Sequence, residues 1–192
     1  MSKKILLMLY PGCISFETML AVEILGQAFP VEVVTSNDAV HTDASGLKLK
    51  PHLPFSDIHL ENYAALLVPG GNPDSIVGKT HVQELISESN STGLVVGGIC
   101  AGVLVLADSG ILQGHQVTHN YTAKYAPDEV VDFTARFWEG LDYIDAPCVE
   151  SKNIVTALPN AYVDFATTLA QKLGVYTFEQ ARKMNQYYKG QP

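Results

Sequence analysis

The strongest constraint on the fold is an alternation of short, unbroken apolar runs with stretches of helical spacing. Ile5 to Tyr10 is a continuous apolar run, as expected of a strand covered on both faces. Phe16 to Phe29 has helical spacing, with Leu20, Ile24 and Leu25 on one side and Pro30 as a stop. Val31 to Thr35 reads as a second strand, Leu47 to Lys50 as a short edge strand, and Ala64 to Val68 as a further buried strand ending at Pro69-Gly70-Gly71. Val82 to Ser87 lies on a short helix, Leu94 to Val96 is another strand, and Val103 to Ala107 is helical. Val117 to His119 reads as a strand end. Val131 to Ala157 reads as a hairpin region broken at Glu139-Gly140 and Lys152-Asn153. Two helices, Ala161 to Leu173 and Phe178 to Tyr188, close the chain. This order predicts an α/β fold: a doubly wound, mostly parallel sheet between helices, with a small β-hairpin excursion. With 192 residues, no internal repeat and no linker-like stretch, the chain reads as one domain spanning 1–192.

Composition removes several function classes. A net charge of −8 opposes a phosphate backbone or an anionic membrane surface as partner. The apolar runs are strand-sized, short of the roughly 20 residues of a spanning helix. Met1-Ser2-Lys3-Lys4 followed by Ile5 to Tyr10 resembles a signal start, but the run is short and Pro11-Gly12 end it, so a buried first strand is the better reading. The three cysteines, Cys13, Cys100 and Cys148, are widely spaced and form no CxxC, which predicts free thiols and a cytoplasmic setting.

Ligands of open parallel sheets bind beyond the carboxyl ends of the strands. Three features fall at such ends: Pro11 to Glu17, Pro69-Gly70-Gly71-Asn72, and Gly97 to Gly102. The last contains G-x-C-x-G between a strand and a helix, the setting of a nucleophile elbow with cysteine as the nucleophile. Side chains at Gly98 and Gly102 would collide as the chain reverses. Cys100 would sit at a helix N-terminus, where the dipole and free N–H groups favour thiolate. The N–H groups of Ala101, Gly70 and Gly71 are candidates to face an oxyanion. Cys13 and Cys148 lack such a setting and read as packing residues.

Two proton partners are candidates. His119, in Val117-Thr118-His119-Asn120, is placed near Cys100 if its strand neighbours the elbow strand; a solvated loop histidine is the equal alternative. Glu17 read alone is a helix-start carboxylate; facing Cys100, it would share a proton with the thiol. His115 would share a strand face with His119, but no third ligand has suitable spacing, so no metal is expected. Gly70-Gly71 lacks both G-x-G-x-x-G and G-K-[ST], which excludes a nucleotide loop, and no cofactor is expected.

These residues together resemble the ThiJ/PfpI superfamily, which includes the parkinsonism-associated protein deglycase and has a flavodoxin-like fold related to class I glutamine amidotransferases. The matching pieces are Pro11 to Leu25, Leu67-Val68-Pro69-Gly70-Gly71, Ile99-Cys100-Ala101-Gly102 and Val117-Thr118-His119. The resemblance implies that Cys100 is the nucleophile, Glu17 its hydrogen-bonded carboxyl, and His119 the histidine of the deglycase-like branch. It also implies that Gly70, Gly71 and Ala101 line the pocket, and that the protein is a homodimer. PfpI-type proteases carry histidine where this chain has Ala101, which counts against peptidase activity; the carboxy-terminal His-x-Glu of glutamine amidotransferases is missing. The implied activity is a glyoxalase- or deglycase-like reaction on small carbonyl compounds. A redox-responsive or chaperone-like stress protein, and hydrolysis of a C–N bond, are the alternatives.

Overall fold

The structure is a computed structural model that describes residues 3–191. Its strands and helices, in chain order, begin with β1 (Lys4–Leu9), α1 (Phe16–Leu25), β2 (Val31–Thr35), β3 (His41–Thr42), β4 (Lys48–Leu49) and β5 (Tyr63–Val68). They continue with α2 (Thr80–Ser91), β6 (Val95–Ile99), α3 (Ala101–Asp108), β7 (Gln116–Val117), α4 (Asp128–Thr134) and β8 (Asp142–Tyr143). β9 (Cys148–Ser151), β10 (Ile154–Ala157), α5 (Tyr162–Lys172) and α6 (Phe178–Tyr188) complete the fold. Six strands form the central sheet in the order β2-β1-β5-β6-β10-β9, parallel throughout except for β9, which runs antiparallel at the edge. This is the doubly wound α/β architecture expected from the sequence.

Helices cover both faces, and two consecutive glycines of β6 show it. A Cβ on Gly97 would lie 2.9 Å from Phe165 of α5, while one on Gly98 would lie 2.8 Å from Leu106 of α3. Successive strand residues face opposite sides, so α5 and α3 lie on opposite faces. The central strands are apolar because no face of them meets water: Ile5, Leu6, Met8, Ala65, Leu66, Leu67, Val96 and Val155 are fully buried. Among the described residues, no helix is long and apolar enough to cross a membrane.

The structure departs from the sequence reading in four places. The first helix ends at Leu25, before Phe29. The segment Leu47 to Lys50 does not join the sheet edge; β4 pairs with β3 in a separate hairpin. The region from Val131 is not strand: α4 begins after Pro127, with Asp128 and Glu129 in its first turn. Acidic residues at a helix start favour the dipole, and this outweighs the β-branched pair Val130-Val131. The hairpin appears only at its end, where β9 and β10 turn at Lys152 (φ 54°), and both strands belong to the central sheet. Finally, β7 pairs with β8 in its own two-stranded sheet, not with β6.

The β3–β4 hairpin is fastened to the start of α1 by one carboxylate. Asp43 Oδ1 accepts from the Ser45 N–H (2.9 Å) and hydroxyl (2.7 Å) and from the Leu47 N–H (2.9 Å). Its Oδ2 accepts from the Ser15 hydroxyl. The Ser15 bond is the largest cause that holds the carboxyl down at about 2, with the Ser45 and Leu47 bonds adding to it against burial. A depressed carboxylate stabilises the fold above its unfolded pKa, about 3.9, and that stability is lost as pH falls through the folded value. The amide protons of Ser45 and Leu47 should therefore exchange faster as pH falls from about 4 towards about 2, after correction for intrinsic rates. Asp43→Asn should remove this pH dependence; an unchanged profile would contradict the assignment.

Gly102 sets how closely α3 approaches β5. A Cβ there would lie 2.2 Å from the Val68 carbonyl oxygen and 2.9 Å from that of Pro69. Gly102→Ala should destabilise the fold by about 1–3 kcal/mol through overpacking. Thermal unfolding should show a fall of about 2–4 °C per kcal/mol. A wild-type Tm would show that the elbow can open without cost.

Candidate active site

The register of the parallel strands brings four carboxyl ends side by side. Leu7 is level with Leu67, Leu67 with Gly97, and Gly97 with Val155. The loops that follow β1, β5 and β6 therefore meet at one edge. They carry Glu17, Gly70-Gly71 and Cys100, as the sequence predicts.

Cys100 caps α3 with φ 56° and ψ −127°, a backbone region that side chains rarely occupy. Holding a non-glycine residue there costs about 1–3 kcal/mol and requires surroundings that over-determine it. Those surroundings are on both sides of the residue. The Cys100 N–H donates to the Ala157 carbonyl of β10 at 3.0 Å. Gly98 packs against Gly102 and Leu106, and Gly102 against the Val68 carbonyl, so neither tolerates a Cβ. The turn tips the half-buried thiol towards Gly70, where an added Cβ would lie 2.7 Å from Sγ.

Glu17, in the first turn of α1, is 2% exposed. Its Oε2 accepts the Gly70 N–H at 2.8 Å, and the same oxygen sits beside the thiol: a Cβ built on Gly70 would lie 2.5 Å from Oε2 and 2.7 Å from Cys100 Sγ. The N–H groups of Ala101 and Gly71 lie near enough to the Cys100 sulfur to favour its thiolate. The three candidate oxyanion donors thus divide: Gly71 and Ala101 face the sulfur, whereas Gly70 is engaged by Glu17 and is not free for a substrate oxygen.

The helix terminus alone does not make the thiol acidic. Burial, and next the negative charge of Glu17, push the Cys100 thiol up to about 12, against the pull of the Ala101 and Gly71 N–H groups. Burial also raises the Glu17 carboxyl, against the Gly70 and Cys100 hydrogen bonds. The Glu17 charge disfavours the thiolate, whereas the Cys100 thiol favours the carboxylate, so the two titrate as a pair. A proton on Glu17 removes the charge that opposes the thiolate. The expectation of a thiolate set by the dipole is thereby corrected: burial outweighs the N–H groups, and the Glu17 charge adds to it.

His119 is buried, and burial lowers its pKa to about 4, so its ring is neutral near pH 7. It does not reach the site along a strand beside β6. Instead the Thr118 N–H donates to Thr156 Oγ1 of β10 at 2.9 Å, and Thr156 is level with Gly98. His119 Nδ1 accepts the Tyr121 N–H at 3.1 Å, which leaves the hydrogen of the neutral ring on Nε2. The ring stacks on Trp138, with centroids 3.8 Å apart and planes 13° apart. Tyr121 stacks on the same indole at 5.3 Å. Burial first, then the charges of Cys100, Asp74 and Glu17, raise the Tyr121 hydroxyl, so it stays protonated beside the site. Among the described residues, no hydrogen bond joins His119 to Cys100. His115 turns elsewhere, with Nδ1 3.1 Å from the Ser151 carbonyl. Cys13 is buried and Cys148 lies against Thr168, consistent with packing roles.

Tyr10 is the residue that sequence reasoning missed. It ends the first apolar run and reads as part of it, yet its hydroxyl donates to the Pro69 carbonyl at 2.9 Å while the residue is fully buried. A phenol closing an otherwise aliphatic strand was the available signal.

The DJ-1/PfpI family profile matches residues 3–172. The dj-1beta protein of Drosophila melanogaster is 26% identical over 179 residues, covering 90% of each chain. A glutathione-independent glyoxalase of Caenorhabditis elegans is 28% identical over 132 residues, 68% of this chain and 66% of that one. The crystal structure of a ThiJ/PfpI family protein from Bacillus anthracis superposes with a TM-score of 0.84 at 23% identity, covering 98% of this chain and 91% of that one. Carrying a strained cysteine elbow, a buried carboxyl against it and the fold that frames both, the chain belongs to the DJ-1/PfpI family.

Proposed function

We propose that this protein is a cysteine-dependent enzyme of small reactive carbonyl compounds, converting an α-ketoaldehyde to an α-hydroxy acid without a thiol cofactor. The observation that carries the reading is the pairing of Cys100 with Glu17 under the Gly71 and Ala101 N–H groups. The Caenorhabditis elegans relative's name supports the same chemistry.

The steps follow from which groups hold protons. With the pair's proton on Glu17, the Cys100 thiolate adds to the aldehyde carbon. The carbonyl electrons move to oxygen, and the Glu17 proton neutralises it to a hemithioacetal. Glu17, now a carboxylate, takes the C1 proton as the C2 carbonyl electrons move to oxygen; the C1 hydroxyl proton passes to the C2 oxygen, and Glu17 returns its proton to C2, giving a thioester of the hydroxy acid. Water then cleaves the C–S bond, releasing the acid and restoring the shared proton. His119 is better suited to hydrogen-bond donation through Nε2–H than to proton abstraction, because the Tyr121 N–H occupies Nδ1.

Wild-type protein incubated with methylglyoxal should form lactate, and Cys100→Ala should fall to the protein-free rate. Glu17→Gln keeps the shape and removes the carried proton, and should lower kcat by about 10²–10⁴. Lactate formation at the protein-free rate by the wild type, or an active Cys100→Ala, would sink the reading.

The proposal extends to a cytoplasmic homodimer acting on a small molecule. Phe16 (58% exposed), Met19 (40%) and Leu47 (61%) form an apolar face where α1 meets the β3–β4 hairpin, suited to a second copy. Sedimentation should give a dimer, and Phe16→Glu with Met19→Glu should give a monomer. A monomeric wild type would remove this part of the proposal.

A further inference from the structure

We propose that Tyr10 is a positioning residue for Cys100, clamping the Pro69–Gly70 peptide so that the loop keeps its donors on the thiol and its carboxyl partner. The inference deepens the reading of Cys100 as the nucleophile and rests on it.

The Pro69 carbonyl and the Gly70 N–H belong to one rigid peptide unit and point in opposite directions. Both ends are held by buried side chains, one at the end of β1 and one in the first turn of α1. Tyr10 donates to the carbonyl at 2.9 Å, and Glu17 Oε2 accepts from the N–H at 2.8 Å. The Gly70 carbonyl in turn accepts the Ile14 N–H at 2.8 Å, and the Gly71 N–H of that second peptide favours the Cys100 thiolate. Gly70 is therefore fixed from both sides, by Tyr10 and Glu17 on one peptide and by Ile14 on the next.

Packing does not require the phenol. Ile5 to Leu9 are aliphatic and fill the core on either side of β1, and Tyr10 is fully buried with a hydroxyl that an apolar residue would not have to satisfy. That hydroxyl is out of reach of solvent and stays protonated, because burial and then the charges of Cys13, Cys100, Glu17 and Tyr121 raise it. These four, with Tyr10 itself, are the titratable groups around the clamp, drawn from the first loop, α1, the elbow and the segment after β7. Without the phenol, the peptide is held only at its N–H end, by Glu17, and its tilt is no longer fixed. The Gly71 N–H and the Glu17 hydroxyl then lose their aim at the sulfur, and the thiolate loses both donors.

The test reads Cys100 without a carbonyl substrate. Iodoacetamide alkylation of Cys100, followed by peptide mass against pH, gives its apparent pKa in the folded protein. Tyr10→Phe, with folding checked by circular dichroism, should move the midpoint upward by about one unit, a loss of about tenfold in rate near neutrality. 4-Aminophenylalanine at position 10, which restores a weaker donor at the same place, should give an intermediate shift. In a Glu17→Gln background the Tyr10→Phe effect should shrink, because both act through one peptide. An unchanged or lowered midpoint in Tyr10→Phe overturns the proposal. If that variant does not fold, a wild-type profile in the aminophenylalanine variant overturns it. Failure of lactate formation with a shifted alkylation profile would count against the carbonyl reaction and leave the clamp intact.

Discussion

The close approach of α3 to the end of β5 is the constraint on which the site depends. It is permitted only because Gly102 has no side chain to meet the Val68 and Pro69 carbonyls. That approach forces the chain to reverse at Cys100 in a strained conformation, and the same reversal places the Ala101 N–H and the thiol side by side. The strain is held by ordinary means: a backbone bond to Ala157, glycine at positions 98 and 102, and the packing of Leu106. A close-packed core of largely apolar parallel strands gives that frame its stiffness.

Within the frame, electrostatics works by competition. A buried thiol and a buried carboxyl with one proton between them cannot both be ionised cheaply. The thiol has no positive neighbour among the described residues to make it acidic, and the Glu17 charge opposes its ionisation. In the proposed reaction, a proton passed to Glu17 would remove that charge and leave an acid beside the thiolate. The neutral His119, stacked on Trp138, adds no charge to this balance.

The sequence made the layout legible and left the directions of individual groups hidden. Apolar runs bounded by Pro-Gly and Gly-Gly identify β1, β5 and β6, and the parallel topology then brings Glu17, Gly70-Gly71 and Cys100 together. His119 was placed by assuming that Val117 continues the main sheet. In fact Gln116–Val117 pairs with Asp142–Tyr143, a long-range contact with no local periodicity to announce it. The Pro127-Asp128-Glu129 start of α4 was overshadowed by Val130-Val131. No pattern of residue types says which way the Pro69–Gly70 peptide faces, so the engagement of the Gly70 N–H by Glu17 could not be read. Tyr10 was hidden for the same reason, since its role lies in a hydroxyl direction and not in its hydrophobicity.

The division of the N–H donors has a consequence for the proposed chemistry. With Gly70 held by Glu17, only Gly71 and Ala101 are available to stabilise negative charge at the reacting centre. In the thiolate that charge is on sulfur; as the C–S bond forms it moves to an oxygen two bonds away. Donors aimed at sulfur stabilise the ground state unless they follow the charge or another group meets it. Glu17 can meet it, because the carboxyl that releases the thiolate still holds the proton the new oxyanion requires. The site therefore needs no dedicated oxyanion hole of the peptidase kind. Ala101 carries no acid or base of its own, so in this reading the Glu17 carboxyl is the group that meets the new oxyanion.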